Sequence, residues 1–528
     1  MVVTAHPEAT EVGIKVLKNG GNAIDAMVAV HFALTVCYPR AGNIGGGGFM
    51  VYRAANGQKH TLDFRETAPK AASKNMYLNK KGDVIDRLSL DGHLAVGVPG
   101  SVDGLWQAHQ KFGNLPWAEL VFPAIELAEK GYPLTPAEVD YMAEFKEQIK
   151  QFNTEENLFT NNTTYKADDQ FIQTDLARIL KRIGNNGRAG FYEGGVAHMI
   201  VEEMKRGNGI ITLEDLKNYE AKWREPLIGN YKNEYNIISM PPPSSGGICL
   251  LQMLEMLENV PLKEWGFNNE QTIHTINEVE KLAYADRAEH IGDPDFYDVP
   301  LEELTDSIYL LNRFNSIDTE QATLSNNVTA GNFGTKSEQT THYSIVDEER
   351  NAVSVTTTLN SHYGSKVLVG GAGFFLNNEM DDFSAKPGVP NQFGLVGKEA
   401  NAITAGKRML SSMTPTIVEK NGALFMVLGT PGGSTIITSV LQNIINVVEH
   451  DMTMQESVNS LRFHHQWKPD TLYHEPNAFD KALISKLEKR GHTLIEKEKI
   501  GRVDAILIRN NKLEGAADTR GEDNALGF

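Results

Sequence analysis

An abrupt change of composition at residue 340 constrains the fold more than any other feature of the sequence. Residues 316–339, SIDTEQATLSNNVTAGNFGTKSEQ, are polar and nearly lack large apolar side chains, as is typical of a linker or an exposed loop. A strand pattern follows at once, with THYSIVD, a turn at EERN, and AVSVTTTLN. The sequence therefore predicts an exposed segment that ends where a strand begins, at Thr340.

The rest of the chain alternates helix and strand signals without an evident repeat. Helical patterns occur at 8–18, 22–36, 115–225, 270–315 and near 436–448, and strand patterns occur at 42–66, 366–376, 415–418 and 423–429. This order predicts strands stacked with helices on both faces, which is an α/β layered architecture.

Composition excludes several classes of partner. The chain has 528 residues and a net charge of −18, which argues against nucleic acid or an anionic membrane as the main partner. Cys37 and Cys249 are the only cysteines and form no C-x-x-C pair, so no zinc or redox motif is present. The most apolar stretch, 26–36, is too short to span a bilayer, and no signal peptide is visible.

A threonine at the start of an anchored strand has a specific chemical use. If the chain were cut before Thr340, the hydroxyl and a new α-amino group would lie together at the free end of the strand. That amino group has an ordinary pKa of about 7.7–8.0, so one residue would supply both nucleophile and base. The alternative is that Thr340 and Thr341 are ordinary residues at a strand edge, where threonine is common.

Other segments offer groups that acyl transfer requires. Gly432 and Gly433 follow an apolar strand, so their N–H groups are candidates for binding an oxyanion, although Pro-Gly-Gly also forms ordinary turns. Arg65 ends a strand and is a candidate for pairing with a carboxylate, although a surface arginine is commoner. Two further polar clusters are candidate binding groups or ordinary loops: Glu379, Asp381 and Asp382, and the hydroxyls of Ser411 and Ser412.

Competing catalytic signals are weaker. The segment GGSTI does not complete a G-x-S-x-G motif, and the run at 42–50 matches neither glycine-rich nucleotide-binding pattern. The plain expectation for those glycines is tight backbone packing. His464 and His465 are adjacent in sequence, which is poor spacing for two metal ligands on one helix face, so we expect them to be structural.

Together and in order, these segments resemble the γ-glutamyltranspeptidases, which are N-terminal nucleophile hydrolases that process glutathione and other γ-glutamyl compounds. The segments that carry the resemblance are AGNIGGGGFM, LDFRETAPKAA, SMPPPSSGG, YADRAEHIGDPDF, TTHYSIVD with NAVSVTTTLN, LNNEMDDFSAKPGVPN, RMLSSMTPT, GTPGGS and RFHHQW. The resemblance runs from about residue 4 to the C-terminus. It implies an αββα sandwich built jointly by a large subunit, 1–339, and a small subunit, 340–528, in one interleaved unit.

The resemblance also implies roles for individual residues. Autocatalytic cleavage between Gln339 and Thr340 would release Thr340 as the nucleophile. The implied supporting residues are Thr358 for activating Thr340, Gly432 and Gly433 for the oxyanion hole, Arg65, Ser411 and Ser412 for the α-carboxylate of the substrate, and Asn360, Glu379 and Asp382 for its α-amino group. No cofactor and no metal are implied.

The expected reaction is transfer of the γ-glutamyl group from glutathione or a similar donor to water, an amino acid or a dipeptide. The expected compartment is the periplasm or the extracellular space. Residues 386–397 resemble a loop that covers the pocket in some bacterial members, which favours small substrates. The alternatives are a poly-γ-glutamate depolymerase, a cephalosporin acylase, or a binding protein that keeps the fold without turnover.

Overall fold

The computed structural model of the chain describes residues 1–331, 341–386, 388–389, 391–392, 394–395 and 399–528. Its strands are β1 Val2–Thr4, β2 Gly47–Arg53, β3 Lys59–Asp63, β4 Tyr132–Pro133, β5 Gln170–Phe171, β6 Lys222–Arg224, β7 Leu227–Tyr231, β8 Tyr235–Ser239, β9 Thr341–Val346, β10 Ala352–Thr358, β11 Thr416–Lys420, β12 Ala423–Gly429, β13 Phe463–His464, β14 Leu472–His474, β15 Leu494–Glu496, β16 Asp504–Arg509, β17 Lys512–Ala516 and β18 Asn524–Leu526.

The helices cluster on either side of these strands. They are α1 Pro7–Lys18, α2 Ala23–Cys37, α3 Ser101–Phe112, α4 Trp117–Lys130, α5 Pro136–Phe152, α6 Thr174–Asn186, α7 Ala189–Tyr192, α8 Gly194–Arg206, α9 Leu213–Asn218, α10 Gly246–Leu257, α11 Leu262–Trp265, α12 Glu270–His290, α13 Leu301–Leu304, α14 Ser307–Phe314, α15 Thr435–Val448, α16 Met454–Asn459 and α17 Lys481–Lys489.

Two antiparallel sheets form the centre of the molecule. The strand order is β18-β1-β9-β10-β2-β3-β6 in the seven-stranded sheet and β17-β16-β12-β11-β8-β7 in the six-stranded sheet. Each sheet combines strands from before and after residue 340. The two sheets face each other through a core that includes Phe49 and Val51 of β2 and Ile417 and Val427 of β11 and β12.

Helices cover the outer face of each sheet, which completes four layers in the order α, β, β, α. Helix α2 contacts β9 and β10 of the first sheet, and every one of its residues is buried. A reciprocal capping box between Asn22 and Asp25 begins this helix by satisfying backbone N–H groups. Helices α10, α12 and α15 share the core on the far side of the second sheet. The predicted αββα sandwich is confirmed.

Several local predictions are also confirmed. The helical patterns at 8–18, 22–36 and 436–448 correspond to α1, α2 and α15. The hairpin predicted within 42–66 is β2 and β3, which are joined by a turn in which Gly57 has a φ of +86°. The strands predicted to follow residue 340 are β9 and β10, in which every residue is buried.

The strand predicted at 366–376 is wrong. This segment contains only one isolated bridge, between Leu368 and Phe375. Gly371 and Gly373 have φ values of +67° and +76°, which turn the chain back on itself. Val369 then donates its backbone N–H to the Phe374 carbonyl at 3.0 Å. The apolar residues resemble a strand in sequence, but the glycines between them break it.

The polar segment before residue 340 is described as far as residue 331. Most residues from 316 to 331 are exposed or half-buried, and none belongs to a helix or a strand. Ser325 and Val328 are exceptions because both are buried. The Ser325 hydroxyl donates a hydrogen bond to Asp470 at 2.8 Å, which ties this part of the segment to the body of the molecule.

Candidate active site

Several of the sequence-predicted residues lie at one edge of the seven-stranded sheet, where the ends of four strands meet. The strands β9, β10, β2 and β3 run antiparallel in turn, so the start of β9 lies beside the end of β10, the start of β2 and the end of β3. The register pairs Thr341 with Thr357 and Thr358 with Gly47. Thr340 and Gln339 lie outside the described residues, but the strand that follows them begins at this edge.

A cleft of about 610 Å³ opens at this edge. Thr341, Thr358, Asn360 and Gly432 line it together, although they come from three separate parts of the sequence. The end of β10 and the loop after β12 therefore meet at the point where β9 begins.

Thr358 is the last residue of β10 and is buried. Its hydroxyl oxygen accepts a hydrogen bond from the backbone N–H of Asn360 at 2.6 Å, which leaves the hydroxyl proton able to donate elsewhere. The Thr358 carbonyl accepts a bond from the Asn43 side chain at 2.9 Å. The first bond orients the Thr358 side chain, and the second fixes its backbone.

The glycine run at 42–50 allows this close packing. A Cβ atom on Gly46 would lie 1.9 Å from the Thr358 carbonyl oxygen, and one on Gly48 would lie 2.4 Å from the Thr356 carbonyl oxygen. Any larger residue would push β2 away from the end of β10. The expectation of tight backbone packing is confirmed, and the packing lies directly beneath the cleft.

Arg65 lies two residues beyond the end of β3 and is completely buried. One terminal nitrogen lies 2.6 Å from a Glu379 oxygen, and the other contacts a carboxylate oxygen of Asp382. The Arg65 Nε and one terminal nitrogen also donate to the carbonyls of Met409 and Leu410, each at 3.3 Å. Sequence reasoning treated a surface arginine as the commoner case, but this guanidinium is the centre of a buried ionic cluster.

Asn360 and Asp382 connect the Arg65 cluster to the cleft. The Asn360 side chain donates to Asp382 at 3.0 Å and to the Asn378 carbonyl at 3.1 Å. Asn360 has a φ of 72°, a conformation that asparagine tolerates better than most residues. Its Oδ1 atom is buried, and no described residue donates a hydrogen bond to it. This acceptor is therefore available in a cleft-lining residue.

The cluster carries more negative than positive charge. Glu66, Glu379 and Asp382 are all buried around Arg65, with the Glu66 carboxylate 3.5 Å from the guanidinium. Buried ionised groups of this kind are costly unless each is paired.

Ser411 and Ser412 follow the two carbonyls that Arg65 contacts. The Ser411 carbonyl accepts bonds from the N–H and the hydroxyl of Ser245, both at 2.7 Å. The Ser412 hydroxyl accepts a bond from the buried side chain of Arg287 at 2.9 Å. Arg287 and Glu66 were not identified as candidates from the sequence, although both lie inside segments that carry the family resemblance. Their adjacency to the site comes from the fold alone.

Gly432 and Gly433 form the turn between β12 and α15. Their φ values are +137° and +65°, and a Cβ atom on Gly432 would lie 2.5 Å from the Thr435 hydroxyl oxygen. Their carbonyls accept bonds from the first residues of α15, namely Thr435 and Ile436. Within the described part of the chain, no acceptor takes a hydrogen bond from either amide. Both amides are thus available to a ligand.

Three buried histidines near these elements, His342, His464 and His465, make hydrogen bonds within the protein. His342, next to Thr341, bonds through its two ring nitrogens to the hydroxyls of Thr356 and Ser344, each at 3.0 Å. Burial lowers the pKa of His342 to about 3, so the ring is neutral at ordinary pH. His464 and His465 are likewise buried, with pKa values lowered by burial to about 3 and about 4. The expectation that the latter pair is structural agrees with these contacts.

Among the described residues, one group has the composition of a metal site: His274, Glu278 and His492, whose candidate ligand atoms lie within 4.8 Å of one another. Hydrogen bonds already use these groups. Asn277 bonds to His492, His492 bonds to His274 at 2.8 Å, and His274 bonds to the Asp318 carbonyl at 2.8 Å. The ring nitrogens are satisfied as neutral imidazoles, so the geometry does not require an ion.

Comparison with known proteins identifies the family. The profile described as Gamma-glutamyltranspeptidase matches residues 9–528. The chain belongs to the γ-glutamyltranspeptidase family. It is therefore an enzyme of γ-glutamyl transfer and hydrolysis that matures by autocatalytic processing.

Relatives and a solved structure agree with this assignment. The chain is 44% identical to the glutathione hydrolase proenzyme of Escherichia coli, with 99% of this chain and 91% of the relative covered. It is 46% identical to the glutathione hydrolase proenzyme of Pseudomonas aeruginosa, with 98% and 92% covered. The crystal structure of cephalosporin acylase from Bacillus halodurans superposes with a TM-score of 0.87 at 25% identity, with 99% and 94% covered. No helix in the described part of this γ-glutamyltranspeptidase is long and apolar enough to cross a membrane.

Proposed function

We propose that Thr340 is the nucleophile of this enzyme and that cleavage between Gln339 and Thr340 releases it. The observation that carries this proposal is the meeting of Thr341, Thr358, Asn360 and Gly432 in one cleft at the start of β9. Thr340 directly precedes Thr341, which lines that cleft. Its free α-amino group would accept the hydroxyl proton, and the Thr358 hydroxyl would hold the nucleophile by a hydrogen bond.

Cleavage would divide the chain into a large subunit, 1–339, and a small subunit, 340–528. Both central sheets contain strands from each part, so the two products would remain one interleaved unit held by backbone hydrogen bonds. We therefore propose that each subunit is the main protein partner of the other.

The Arg65 cluster would bind the glutamyl head of the substrate. Arg65 would attract its α-carboxylate, with Ser411 and Ser412 supplying further polar groups. Glu379 and Asp382 would attract its α-ammonium, with the unpartnered Oδ1 of Asn360 as an additional acceptor. Each interaction is strong because the groups are buried and out of water. The substrate would replace part of the ion pairing that the cluster makes within itself.

The reaction would proceed in two acyl-transfer steps. The Thr340 Oγ atom forms a bond to the γ-carbonyl carbon, and the Gly432 and Gly433 amides stabilise the negative charge on the carbonyl oxygen. The C–N bond then breaks, and the leaving amine takes the proton that the α-amino group had accepted. Water or an amine attacks the resulting ester and releases Thr340. This scheme uses no cofactor and no metal.

Glutathione is the donor that we propose, because the relatives at 44% and 46% identity are named glutathione hydrolase proenzymes. Amino acids and dipeptides are the proposed acceptors. The second candidate is a cephalosporin acylase, which the similarity to the Bacillus halodurans structure favours. A poly-γ-glutamate depolymerase is a further alternative, and rates on glutathione, the polymer and an acyl-cephalosporin distinguish among these activities. The proposed compartment is the periplasm or the extracellular space.

Mass analysis of the purified protein tests the cleavage site and the nucleophile. We expect two chains, one that ends at Gln339 and one that begins at Thr340. The Thr340→Ala variant should remain one chain and release no product from a γ-glutamyl anilide, because both reactions need the hydroxyl. Product release by that variant, or a new chain that begins at another residue, would refute the assignment.

A further inference from the structure

The cleft contains a buried arginine that the proposed reaction does not use. Arg40, between α2 and β2, lines the cleft with only 5% of its surface exposed. Its carbonyl accepts the backbone N–H of Tyr363 at 2.9 Å, which ties it to the loop that carries Asn360. Arg40 is thus part of the wall of the cleft.

Among the described residues, the Arg40 guanidinium has no anionic partner. Its Nε atom is buried without a hydrogen-bond acceptor, and no described carboxylate forms an ion pair with the group. Two half-buried arginines of the cleft are paired with carboxylates: Arg502 lies 3.0 Å from Asp523, and Arg520 lies 2.5 Å from Glu475. Because an unpaired buried cation is costly, Arg40 is suited to bind an anionic group of a ligand.

Two tyrosine rings determine how that anion can approach. The Arg40 Cζ atom lies 3.9 Å from the ring centre of Tyr141 and 4.5 Å from that of Tyr38. Stacking of this kind uses the flat faces of a guanidinium and leaves its edge of N–H groups free. A planar carboxylate is the anion that matches such an edge with two parallel hydrogen bonds.

A second buried cation strengthens the positive potential of this wall. Lys366 also lines the cleft and is 3% exposed, and its Nζ donates to the Gly364 carbonyl at 2.7 Å. Burial lowers its pKa to about 8, so the amine still carries a proton over most of the neutral range. The cleft thus has two buried cations in its lining, Arg40 and Lys366, although the protein as a whole has a net charge of −18.

We propose that Arg40, stacked between Tyr38 and Tyr141, binds the carboxylate of the amine half of the reaction, which is either the leaving group or the acceptor. This inference rests on the proposed γ-glutamyl transfer and adds a preference for peptides and amino acids with a free carboxylate. In a dipeptide leaving group the C-terminal carboxylate lies roughly 7 Å from the scissile nitrogen. That carboxylate is too remote for the groups that hold the glutamyl head, so a separate cation is required.

The test compares two chromogenic donors, γ-glutamyl-4-nitroanilide, with a neutral leaving group, and γ-glutamyl-3-carboxy-4-nitroanilide, with an anionic one. For the Arg40→Gln variant we expect the ratio of kcat/KM, anionic to neutral donor, to fall about tenfold from the wild-type value. Arg40→Lys should restore part of the ratio because it keeps the charge without the planar edge. The donors are hydrolysed without an acceptor, so this arm reports on the leaving group.

The matched control is Arg87→Gln, which removes one positive charge from the lining of the same cleft. Arg87 is exposed and already paired with Asp91 at 2.5 Å, so its loss should change the ratio less than twofold. An equal change in both variants would show a diffuse field and overturn the role of Arg40. Equal losses on both donors in Arg40→Gln would also overturn it, because a structural defect does not distinguish them.

The acceptor arm compares transfer to glycylglycine with transfer to glycylglycinamide. If wild type prefers glycylglycine and Arg40→Gln does not, Arg40 binds the carboxylate of the acceptor. If the ratio of kcat/KM for the anionic over the neutral donor falls in Arg40→Gln, Arg40 binds the carboxylate of the leaving group. No change in either arm refutes the proposal. If Arg40→Gln does not fold, wild-type hydrolysis rates on glutathione and on its C-terminal amide test whether the free carboxylate is recognised. Equal rates would refute the site. Wild-type enzyme that is cleaved but hydrolyses neither donor would instead contradict the proposed function.

Discussion

Replacement of Arg65 by alanine tests the buried cluster that is proposed to hold the glutamyl head. The change removes a guanidinium that lies 2.6 Å from Glu379 and also contacts Asp382. A charge-assisted hydrogen bond contributes about 1.5–3 kcal/mol, so losing the bond to the substrate carboxylate should raise KM roughly 10- to 150-fold. Cleavage before Thr340 should proceed, because Arg65 is assigned to the substrate rather than to the start of β9.

The same substitution should also lower stability. Breaking a buried ion pair on one side typically costs about 3–5 kcal/mol, because the remaining carboxylates are left buried without their cation. The effect on stability must therefore be separated from the effect on binding. Arg53→Ala is the matched control, since Arg53 pairs with Glu419 at 2.8 Å in a buried site outside the cleft. It should lower the free energy of unfolding to a similar extent and leave KM within twofold.

Initial rates with γ-glutamyl-4-nitroanilide give KM and kcat for both variants, urea unfolding gives their stability, and a denaturing gel gives the extent of cleavage. An unchanged KM in Arg65→Ala would refute the assignment of Arg65 to the substrate carboxylate. A variant that stays folded but uncut would show that the residue acts in maturation instead. An equal rise of KM in Arg53→Ala would show that the effect follows from lost stability.

Two further predictions concern the oxyanion donors and the buried histidines. Gly432→Ala should lower kcat about 100- to 1,000-fold, because a Cβ atom would lie 2.5 Å from the Thr435 hydroxyl at a φ of +137° and would displace the amide. Single-turnover kinetics on folded, cleaved protein should show slow acylation. An unchanged acylation rate would show that the oxyanion does not use this amide. Acidification should lower the free energy of unfolding between pH 6.5 and about 3, because burial lowers the pKa of His342 and His464 to about 3, whereas the unfolded chain binds protons at its ordinary value near 6.5. Their contribution is complete above pH 6.5 and disappears as pH falls, so urea unfolding at several pH values should show a positive slope, and His464→Gln should reduce that slope.

Sequence patterns identified the elements of the site better than its connections. The alternation in 341–358 predicted β9 and β10 because both strands are continuous, and the glycine run predicted close packing that the Gly46 contact confirms. The segment 366–376 failed because apolar content alone does not reveal glycines at positive φ. Thr358, Asn360 and the Gly432 turn were placed in one site through family resemblance, since no local pattern links residues so distant in sequence.

The partners of Arg65 illustrate what sequence reasoning missed. A lone arginine after a strand is most often exposed, and nothing nearby in sequence indicates that Glu379 and Asp382 will bury it. The pairing comes from the antiparallel order of β3, β2 and β10, which brings the residues that follow the ends of β3 and β10 to one edge. Glu66 is adjacent to the site for the same reason, whereas Arg287 reaches Ser412 from helix α12. Long-range register determines these contacts, and it is not encoded in any single segment.

Arg65 and Arg40 differ in a way that has functional consequences. Arg65 is already paired with buried carboxylates, so a zwitterionic head binds there by exchanging partners within the cluster. Arg40 is buried without an anion, so part of the free energy of folding is lost in holding it between Tyr38 and Tyr141. A ligand carboxylate recovers that loss on binding. Removing the charge of Arg40 should therefore change selectivity for the amine half strongly. Removing any one carboxylate of the Arg65 cluster should change selectivity for the glutamyl head less.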